Sequence, residues 1–327
     1  MAVLVVGLGS MGKRRVRLLK ELYSDIDVVG VDGREDRRDE AFEKYGIRCY
    51  ESIEEASKKE NIDRAFVSTS PLSHSSIITT CLRNNWHVFT EINLVSDGYD
   101  LNTSLAKEKG LCLFLSSTLL YREEVANIKK RVTDDIKWNY IYHKGQYLPD
   151  WHPWENFKDF FVGDKRTNGC REIFAIEMPW IVNVFGDVES MNVVSDKMTE
   201  LNIDYHDNFM VQFVHKNGNK GLFVADVVSP CAVRRLEIYG ENKYLRWDGT
   251  PETLFEYNVE KDALENIQLT EITEHQEGYR AFVVENAYKN EIRAFFAMIE
   301  EGKAPVYDFE KDKTILNLLD QMEKNND

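Results

Sequence analysis

Three glycines near the start of the chain have the spacing of a nucleotide-binding turn. Gly7 ends the apolar run AVLVVG, and Gly9 and Gly12 follow it before a basic, helix-compatible segment. In such a setting the first glycine permits a tight turn, the second lets the backbone approach a pyrophosphate, and the third lets helix and strand pack closely. Amide groups at the start of the helix would face the phosphates. A lone motif of this kind could equally be only a strand-to-helix turn.

Asp32 provides the second part of the pattern, because it ends the run DVVGVD, twenty residues beyond Gly12. A carboxylate there would bind the ribose 2′-hydroxyl and repel a 2′-phosphate, which favours NAD over NADP. Arg34 leaves NADP possible, since a guanidinium can accept a phosphate or stack on adenine. Ser10 and Met11 complete the predicted contacts of the turn with the cofactor.

The elements that must position these residues follow two different patterns of helices and strands along the chain. Over the first 120 residues, short apolar strands alternate with helical segments, which predicts βαβ units and a doubly wound parallel sheet. Beyond about residue 130, strand-like runs follow one another through short turns such as KNGN (216–219), as in antiparallel sheets. We therefore predict an α/β protein: a Rossmann domain at 1–120 and an α+β domain with an open, largely antiparallel sheet at 121–327, whose C-terminal helices could pack back on the first domain.

Composition excludes several classes of function. The net charge of −15 makes nucleic acid a poor partner, and no apolar run approaches the roughly 18 residues of a membrane span. The N-terminus lacks a basic leader, and the five cysteines have no paired spacing, so we expect a cytoplasmic protein with reduced thiols. No Cys/His grouping has metal-ligand spacing, and we expect no metal.

Four segments in order resemble the Gfo/Idh/MocA family, the relatives of glucose–fructose oxidoreductase and inositol dehydrogenase. They are GLGSMG (7–12), ENIDRAFVSTSPLSH (60–74), NNWHVFTEINLVSDGYDL (84–101) and AFFAMIEEGKAPVYDFEKDKTILNLL (294–319). The resemblance implies an NAD(P)-dependent oxidoreductase. It also implies a Rossmann domain followed by an open antiparallel sheet that carries the substrate site and often the oligomer contact.

The resemblance also assigns roles to single residues of the first domain. Thr69 or Ser70 would take the position of the family's threonine, and His74 that of its histidine, over the nicotinamide-side ribose and the phosphates. Glu91 would be the glutamate of the Glu-Lys-Pro signature, near the nicotinamide ribose. The alternative for His74 is a histidine that only caps a turn at the start of a helix.

The sequence departs from the family where relatives carry their acid–base groups. Ile92 and Asn93 stand in place of the lysine and proline that follow the glutamate. In the segment 168–186, Glu177, or Ile176 with a shift of one residue, takes the place of the family's histidine, and Trp180 that of its aspartate. An isoleucine can neither donate a proton nor carry charge, so the family mechanism does not transfer directly.

Substitutes for those groups are present elsewhere in the second half. Oxidation of a carbinol needs a base for the hydroxyl proton. His152 titrates in the useful range, Tyr147 could donate a proton, and Glu177 could be a base if burial raises its pKa. Glu91 would orient substrate or ribose. In the alternative readings, His152 is a structural hydrogen-bonding residue, and Glu177 pairs with an arginine such as Arg171 or Arg166.

Substrate contacts are predicted from the same region. Trp151 and Trp154 could present aromatic faces to a sugar ring, and Arg171 and Glu172 could hold a carboxylate or hydroxyl groups. The tryptophans could instead be packing anchors.

We therefore expect an oxidoreductase acting on a sugar, a cyclitol or a nucleotide sugar. The segments YLPDWHPWE and REIFAIE look like those of family members associated with surface-polysaccharide sugars. A sensor that binds dinucleotide and sugar without redox turnover, and a lyase or epimerase with tightly bound cofactor, stay open. An exposed apolar sheet face would favour a homodimer or homotetramer.

Overall fold

The computed structural model describes residues 1–152, 155–274, 276 and 283–324. The chain divides into two compact units. Unit 1 comprises Met1–Ser117 and Tyr288–Lys313, and unit 2 comprises Thr118–Ala287 and the residues from Thr314 onward.

Unit 1 is built on a parallel sheet with the strand order β3-β2-β1-β4-β5-β6. The strands are β1 (Ala2–Val6), β2 (Asp27–Val31), β3 (Arg48–Tyr50), β4 (Ile62–Val67), β5 (His87–Thr90) and β6 (Leu113–Leu115). The order reverses between β1 and β4, and in such sheets ligands bind beyond the carboxyl ends of the strands at that point. The predicted doubly wound sheet is confirmed.

Helices alternate with these strands, as the sequence rhythm predicts. They are α1 (Ser10–Leu22), α2 (Glu35–Tyr45), α3 (Ile53–Lys59), α4 (Pro71–Arg83) and α5 (Tyr99–Lys109). Local chemistry sets several boundaries. Pro71 has a ring already fixed for a helical first position, and Gly110 ends α5 in the left-handed conformation, with a φ of 66°.

The core of unit 1 is apolar on both faces of the sheet. All five residues of β1 are buried, as expected for a strand covered by helices on both sides. Phe66 and Phe89 stack with ring centroids 4.7 Å apart, and Phe89 stacks on Phe114 at 5.1 Å. Phe295, from the C-terminal part of unit 1, meets Phe66 edge-on at 5.4 Å. This packing ties the C-terminal segment to the sheet.

Unit 2 is built on a larger sheet with the order β14-β13-β12-β11-β7-β10-β9-β8. Its strands are β7 (Asn139–Gly145), β8 (Val188–Asp196), β9 (Asn208–His215), β10 (Lys220–Asp226), β11 (Val233–Gly240), β12 (Lys243–Trp247), β13 (Leu254–Asn258) and β14 (Ala263–Asn266). The pairs are antiparallel except β7 with β10, which run parallel. The predicted hairpin turn joins β9 to β10, with Gly218 at a φ of 85°.

One face of this sheet is covered by a helix and the other is open. Unit 2 contains α6 (Glu123–Arg131) and α7 (Gly169–Phe185). Aromatic residues of α7 pack on the sheet: Phe174 lies 4.9 Å from Phe223, and Phe185 lies 4.3 Å from Tyr140, between ring centroids. Along β9 buried and exposed residues alternate, which is the pattern of a half-covered antiparallel strand.

Two further helices complete the described chain, α8 (Glu285–Glu301) and α9 (Phe309–Lys324). The division between the units falls within each of them. Among the residues described, no helix has both the length and the apolar character needed to cross a membrane.

Candidate functional site

The glycine-rich turn between β1 and α1 cannot accept side chains at two of its three positions. Gly7 has a φ of +88°, and a Cβ there would lie 2.6 Å from the Ser68 carbonyl oxygen. A Cβ on Gly12 would lie 1.7 Å from the Gly7 carbonyl oxygen. Gly9 precedes the first turn of α1, whose amide groups point along the helix axis as donors for an anion. The turn therefore has the close packing that the spacing predicts.

Ser10 and Met11 form the start of α1 beside this turn. Ser10 is exposed, and the Met11 sulfur accepts a hydrogen bond from Arg14 Nη1 at 3.2 Å. Their contact with a cofactor stays a prediction.

Asp32, directly after β2, is held in place by two backbone amides. Its Oδ2 accepts from the Leu8 N–H at 2.8 Å, and its Oδ1 accepts from the Arg34 N–H at 2.9 Å. The Arg34 side chain turns to Asp36, with 2.5 Å between Nη2 and Oδ2, and both side chains are exposed. Asp32 is thus fixed at the carboxyl end of its strand, where a ribose would be recognised.

Arg37 is a residue that the sequence analysis missed. Its Nη1 lies 3.5 Å from Asp32 Oδ2 and 3.5 Å from the position that a Cβ on Gly9 would occupy. The side chain therefore reaches over the glycine-rich turn. The signal was available, because Arg37 lies in the first turn of α2 and follows Arg34 by three residues, close to one helical turn.

A pocket of about 520 Å³ opens at the end of this sheet. It is lined by residues of the turn, of the strand ends and of α3 and α4, among them Gly7, Asp32, Arg37, Ile53, Thr69 and Ser70. The volume lies within the usual range for small-molecule and cofactor sites. The structure thus brings together four residues that the sequence predicted for the cofactor: Gly7, Asp32, Thr69 and Ser70.

Glu91 is engaged in a buried ion pair. Arg15 binds it with two nitrogens, at 2.6 Å from Nε to Oε1 and 2.9 Å from Nη2 to Oε2. Arg15 Nη2 also lies 2.9 Å from Glu291 Oε2 in α8. Burial opposes the charge of Arg15, but the two carboxylates together raise its pKa above the usual value. Glu91 therefore has a strong structural partner, and its predicted roles stay predictions.

His74, in the first turns of α4, is buried between two polar groups. Its Nδ1 lies 2.7 Å from Asn93 Oδ1, and its Nε2 lies 2.9 Å from the Thr69 carbonyl oxygen. Thr69 lines the pocket, so His74 supports that wall from behind.

Glu177, on α7 in unit 2, is completely buried and surrounded by donors. Tyr142 donates to its Oε2 at 2.8 Å, and Trp180 Nε1 donates to the same oxygen at 2.7 Å. Arg234 pairs with Oε1. Arg171 instead pairs with two carboxylates of α9, at 2.7 Å from Asp320 and 2.6 Å from Glu323. The contacts of Glu177 are those of a charge fixed in a packed network.

Glu172 differs from Glu177, although it lies on the same helix. It is partly buried, and its Oε2 is excluded from solvent with no hydrogen-bond partner among the described residues. Burial raises the pKa of Glu172 to about 7, against the opposing positive charge of Lys144. A carboxyl group with a pKa in this range can exchange protons near neutral pH. Sequence analysis treated Glu172 only as a substrate contact, because burial is not visible in the sequence.

The loop after β7 contains the remaining predicted residues. Tyr147 is half-buried, and its N–H donates to the Ser229 carbonyl. Trp151 donates through Nε1 to the Gln146 carbonyl at 2.9 Å. His152 Nδ1 lies 2.6 Å from Glu155 Oε1, and its ring stacks on Phe160 at 4.5 Å between centroids.

Trp154 falls outside the described residues. Across the parts of the chain that are described, no group of three or more His, Cys, Asp or Glu residues could hold a metal ion.

Comparison with known proteins gives a family match for the first part of the chain and a fold match for all of it. Residues 1–115 match the model of an oxidoreductase family, Gfo/Idh/MocA, with an NAD-binding Rossmann fold. Myo-inositol 2-dehydrogenase of Thermotoga maritima is 31% identical over 110 residues, which are 33% of this chain and 33% of that protein. The sequence match thus spans a third of the length of the curated relative.

Two solved structures extend the likeness to the full chain. Myo-inositol 2-dehydrogenase from Lactobacillus plantarum has 15% identity and a TM-score of 0.78, covering 99% of this chain and 96% of its own. UDP-N-acetylglucosamine 3-dehydrogenase from Acidithiobacillus ferrooxidans has 15% identity and a TM-score of 0.75, covering 99% and 97%. At these identities the likeness establishes the fold.

Proposed function

We propose that this chain is a member of the Gfo/Idh/MocA oxidoreductases, whose NAD-binding Rossmann model matches residues 1–115, and that it oxidises or reduces a sugar-like substrate with a nicotinamide cofactor. The observation that carries the proposal is the pocket beside Gly7 and Asp32 at the switch point of the parallel sheet. A dinucleotide site requires a turn in which side chains are excluded, as at Gly7 and Gly12, and an acidic residue held in place, as Asp32 is.

The cofactor proposed is NAD. The amides at the start of α1 would hold the diphosphate, and Asp32 would accept a hydrogen bond from the adenosine ribose. Thr69 and Ser70 line the same pocket and would contact the phosphates and the ribose on the nicotinamide side of the cofactor. Bound NAD supplies the hydride acceptor for oxidation of a CH–OH group.

Glu172 is the best-supported base for that reaction. Its ionised carboxylate would take the hydroxyl proton of the substrate, while the hydride leaves the same carbon with both electrons of the C–H bond. The product is then a carbonyl compound, and the hydroxyl proton is left on Glu172. This role is supported by the raised pKa of Glu172 and by its Oε2, which has no hydrogen-bond partner in the described part of the chain. His152, oriented by Glu155, is the second candidate.

The proposed substrate is a polyol, a cyclitol or a nucleotide sugar, with Trp151 and Arg171 among the predicted contacts. The relatives named above support this class of substrate. A place in surface-polysaccharide sugar metabolism is proposed on the likeness of residues 147–155 and 171–177 alone.

The open face of the unit 2 sheet supports a proposed homodimer or homotetramer. Ile141, Met210 and Tyr239 are 43%, 45% and 42% exposed on it. Apolar patches of this kind favour association between proteins. Sedimentation velocity over a range of concentrations would test this, and a monomer at every concentration would contradict it.

A sensor that binds dinucleotide and sugar without turnover is the second candidate function. It is favoured by Ile92, which cannot move a proton, and by the ion pairs that engage Glu91 and Glu177. A lyase or epimerase that oxidises its substrate transiently is a third.

One experiment separates these functions. The purified protein is incubated with NAD and, in turn, with inositols and UDP-sugars, while the absorbance of the reduced nicotinamide and the heat of binding are followed. Net reduction supports the dehydrogenase. Binding heat without reduction supports the sensor, and a changed sugar without net reduction supports the lyase or epimerase. Absence of NAD binding would contradict all three.

A further inference from the structure

The contacts of His74 pose a question of proton placement. A neutral imidazole carries one N–H, and here both ring nitrogens lie within hydrogen-bond distance of an oxygen, Asn93 Oδ1 and the Thr69 carbonyl. Burial lowers the pKa of His74, although the two hydrogen bonds and the negative charge of Glu91 act the other way. Burial thus favours the neutral ring, whose single proton can serve only one of these oxygens.

The Thr69 carbonyl decides which nitrogen carries the proton. A carbonyl oxygen only accepts, so Nε2 must be the donor in that contact, and Nδ1 must then accept. Asn93 can supply a donor, since the oxygen and nitrogen ends of its amide exchange places by rotation through 180°. As oriented here, the buried Asn93 Nδ2 completes no hydrogen bond of normal geometry within the described residues and lies toward the Tyr99 hydroxyl, which itself donates to Asp312. After rotation, Asn93 Nδ2–H donates to Nδ1 and Nε2–H donates to Thr69, while Asn93 Oδ1 turns toward the Tyr99 hydroxyl.

This hydrogen bond bears directly on the wall of the pocket. Thr69 Cγ2 lies 2.8 Å from the position that a Cβ on Gly7 would take, so Thr69 packs directly against the glycine-rich turn. Ser73 donates to Thr69 Oγ1 at 2.8 Å, which fixes the same residue from the side. A change at Nε2 would loosen Thr69 relative to Gly7.

We propose that Asn93 is a positioning residue for the cofactor, which holds His74 as the Nε2–H tautomer and thereby anchors the Thr69 segment against the turn. The inference rests on the proposed function, because it assumes that this pocket takes NAD. Asn93 stands where the family signature has proline, whose side chain has no donor. Ile92 replaces the family's lysine, and Asn93, one residue later, adds a polar contact where the family has proline.

Nitrogen-15 NMR of the histidine rings tests the tautomer without any cofactor. The protein contains seven histidines, so the His74 signals are assigned by their loss in His74→Gln. We expect a protonated Nε2 and an unprotonated Nδ1 between pH 6 and 8. A protonated Nδ1 in that range would overturn the proposal and would say nothing against NAD binding.

Two variants test the consequence for binding, with the dissociation constant of NAD measured by calorimetry. Asn93→Leu removes the donor at similar volume, and we expect roughly tenfold weaker binding, about 1.4 kcal/mol. In Asn93→Asp the new carboxylate would stabilise an imidazolium, which still donates from Nε2 to Thr69. As the pH rises, this imidazolium would lose its Nε2 proton and keep the Nδ1 proton beside the new carboxylate, so Thr69 would lose its donor and NAD binding would weaken.

The groups that face the ring are Asn93, Thr69, the Thr90 hydroxyl at 3.4 Å and, through its charge, Glu91. Wild-type affinity should therefore be level from pH 6 to 8, and the exposed control Asn84→Asp should match it. Unchanged affinity in Asn93→Leu, together with level affinity in Asn93→Asp, would overturn the proposal. Failure of the wild type to bind NAD would instead contradict the proposed function, while the tautomer measurement would still stand.

Discussion

The two units place their functional groups by different means. In unit 1 the pocket is shaped mainly by backbone: two glycines that admit no Cβ, helix-end amides, and Asp32 held by two N–H groups. In unit 2 the candidate groups are carboxylates on α7, and their properties depend on their partners. Glu177 pairs with Arg234, and Glu172 Oε2 has no partner among the residues that the structure describes. A backbone-built site should be insensitive to pH but intolerant of added atoms, and a carboxylate-built site should behave in the opposite way.

Unit 1 nevertheless contains a buried cluster of charged side chains, in which Arg15 pairs with Glu91 and Glu291. Breaking this cluster should give the largest effect on stability. Arg15→Met leaves Glu91 and Glu291 buried without their shared cation, which should cost about 3–5 kcal/mol of unfolding free energy. Urea denaturation would measure this. Arg17→Met is the matched control, since Arg17 forms a partly exposed pair with Glu21, and should cost about 1 kcal/mol or less. Equal losses in the two variants would contradict the stabilising role of the cluster.

Gly12→Ala tests the backbone-built site itself. The added Cβ would meet the Gly7 carbonyl at 1.7 Å, so the turn must shift, at a cost of about 1–3 kcal/mol in stability. We expect NAD binding to weaken by about 100-fold or more, because the diphosphate contacts move with the turn. Gly33→Ala has open space around its Cβ and should leave stability unchanged. Normal NAD affinity in Gly12→Ala would show that the turn does not hold the cofactor.

The two carboxylates on α7 give the sharpest test within unit 2. Glu172→Gln should lower kcat by about 100-fold, as expected for loss of a general base, and the wild-type kcat should fall as the pH drops below about 7. Glu177→Gln should chiefly lower stability, because it leaves the charge of Arg234 without its buried partner. Steady-state kinetics and urea denaturation on both variants would measure the contrast. Full activity in Glu172→Gln would transfer the role of base to His152.

Glu172 also makes a prediction about stability without any substrate. A carboxyl group whose pKa is raised on folding takes up protons in the native state, so its contribution is present at low pH and lost as the pH rises through about 7. The unfolding free energy of the wild type should therefore decline between about pH 4.5 and 7 relative to that of Glu172→Gln. Parallel pH profiles of the two proteins would contradict the raised pKa.

The difference between the two units explains which parts of the fold and of the site could be predicted from the sequence. Spacing alone predicts the glycine turn, Asp32 and the parallel sheet, because backbone sterics and strand periodicity are local properties of the chain. The partner of Glu177 comes from β11, 57 residues further on, and the burial of Glu172 depends on packing between helix and sheet. Such long-range contacts leave no mark in spacing. For the same reason the sequence named Arg34, which turns to Asp36, and overlooked Arg37 over the turn.

The smallest expected effect is that of replacing Arg37, which lines the proposed cofactor pocket of unit 1. Its guanidinium lies beside Asp32 and could accept a 2′-phosphate, whereas Arg34 is paired with an exposed carboxylate. Arg37→Gln should weaken NADP binding by about tenfold, roughly 1.4 kcal/mol, and change NAD binding much less, since Asp32 keeps its two amide contacts. Arg34→Gln is the matched control and should leave the ratio of the two dissociation constants unchanged. If Arg34→Gln alters that ratio and Arg37→Gln does not, the side chain that pairs with Asp36 would be the one that selects the cofactor.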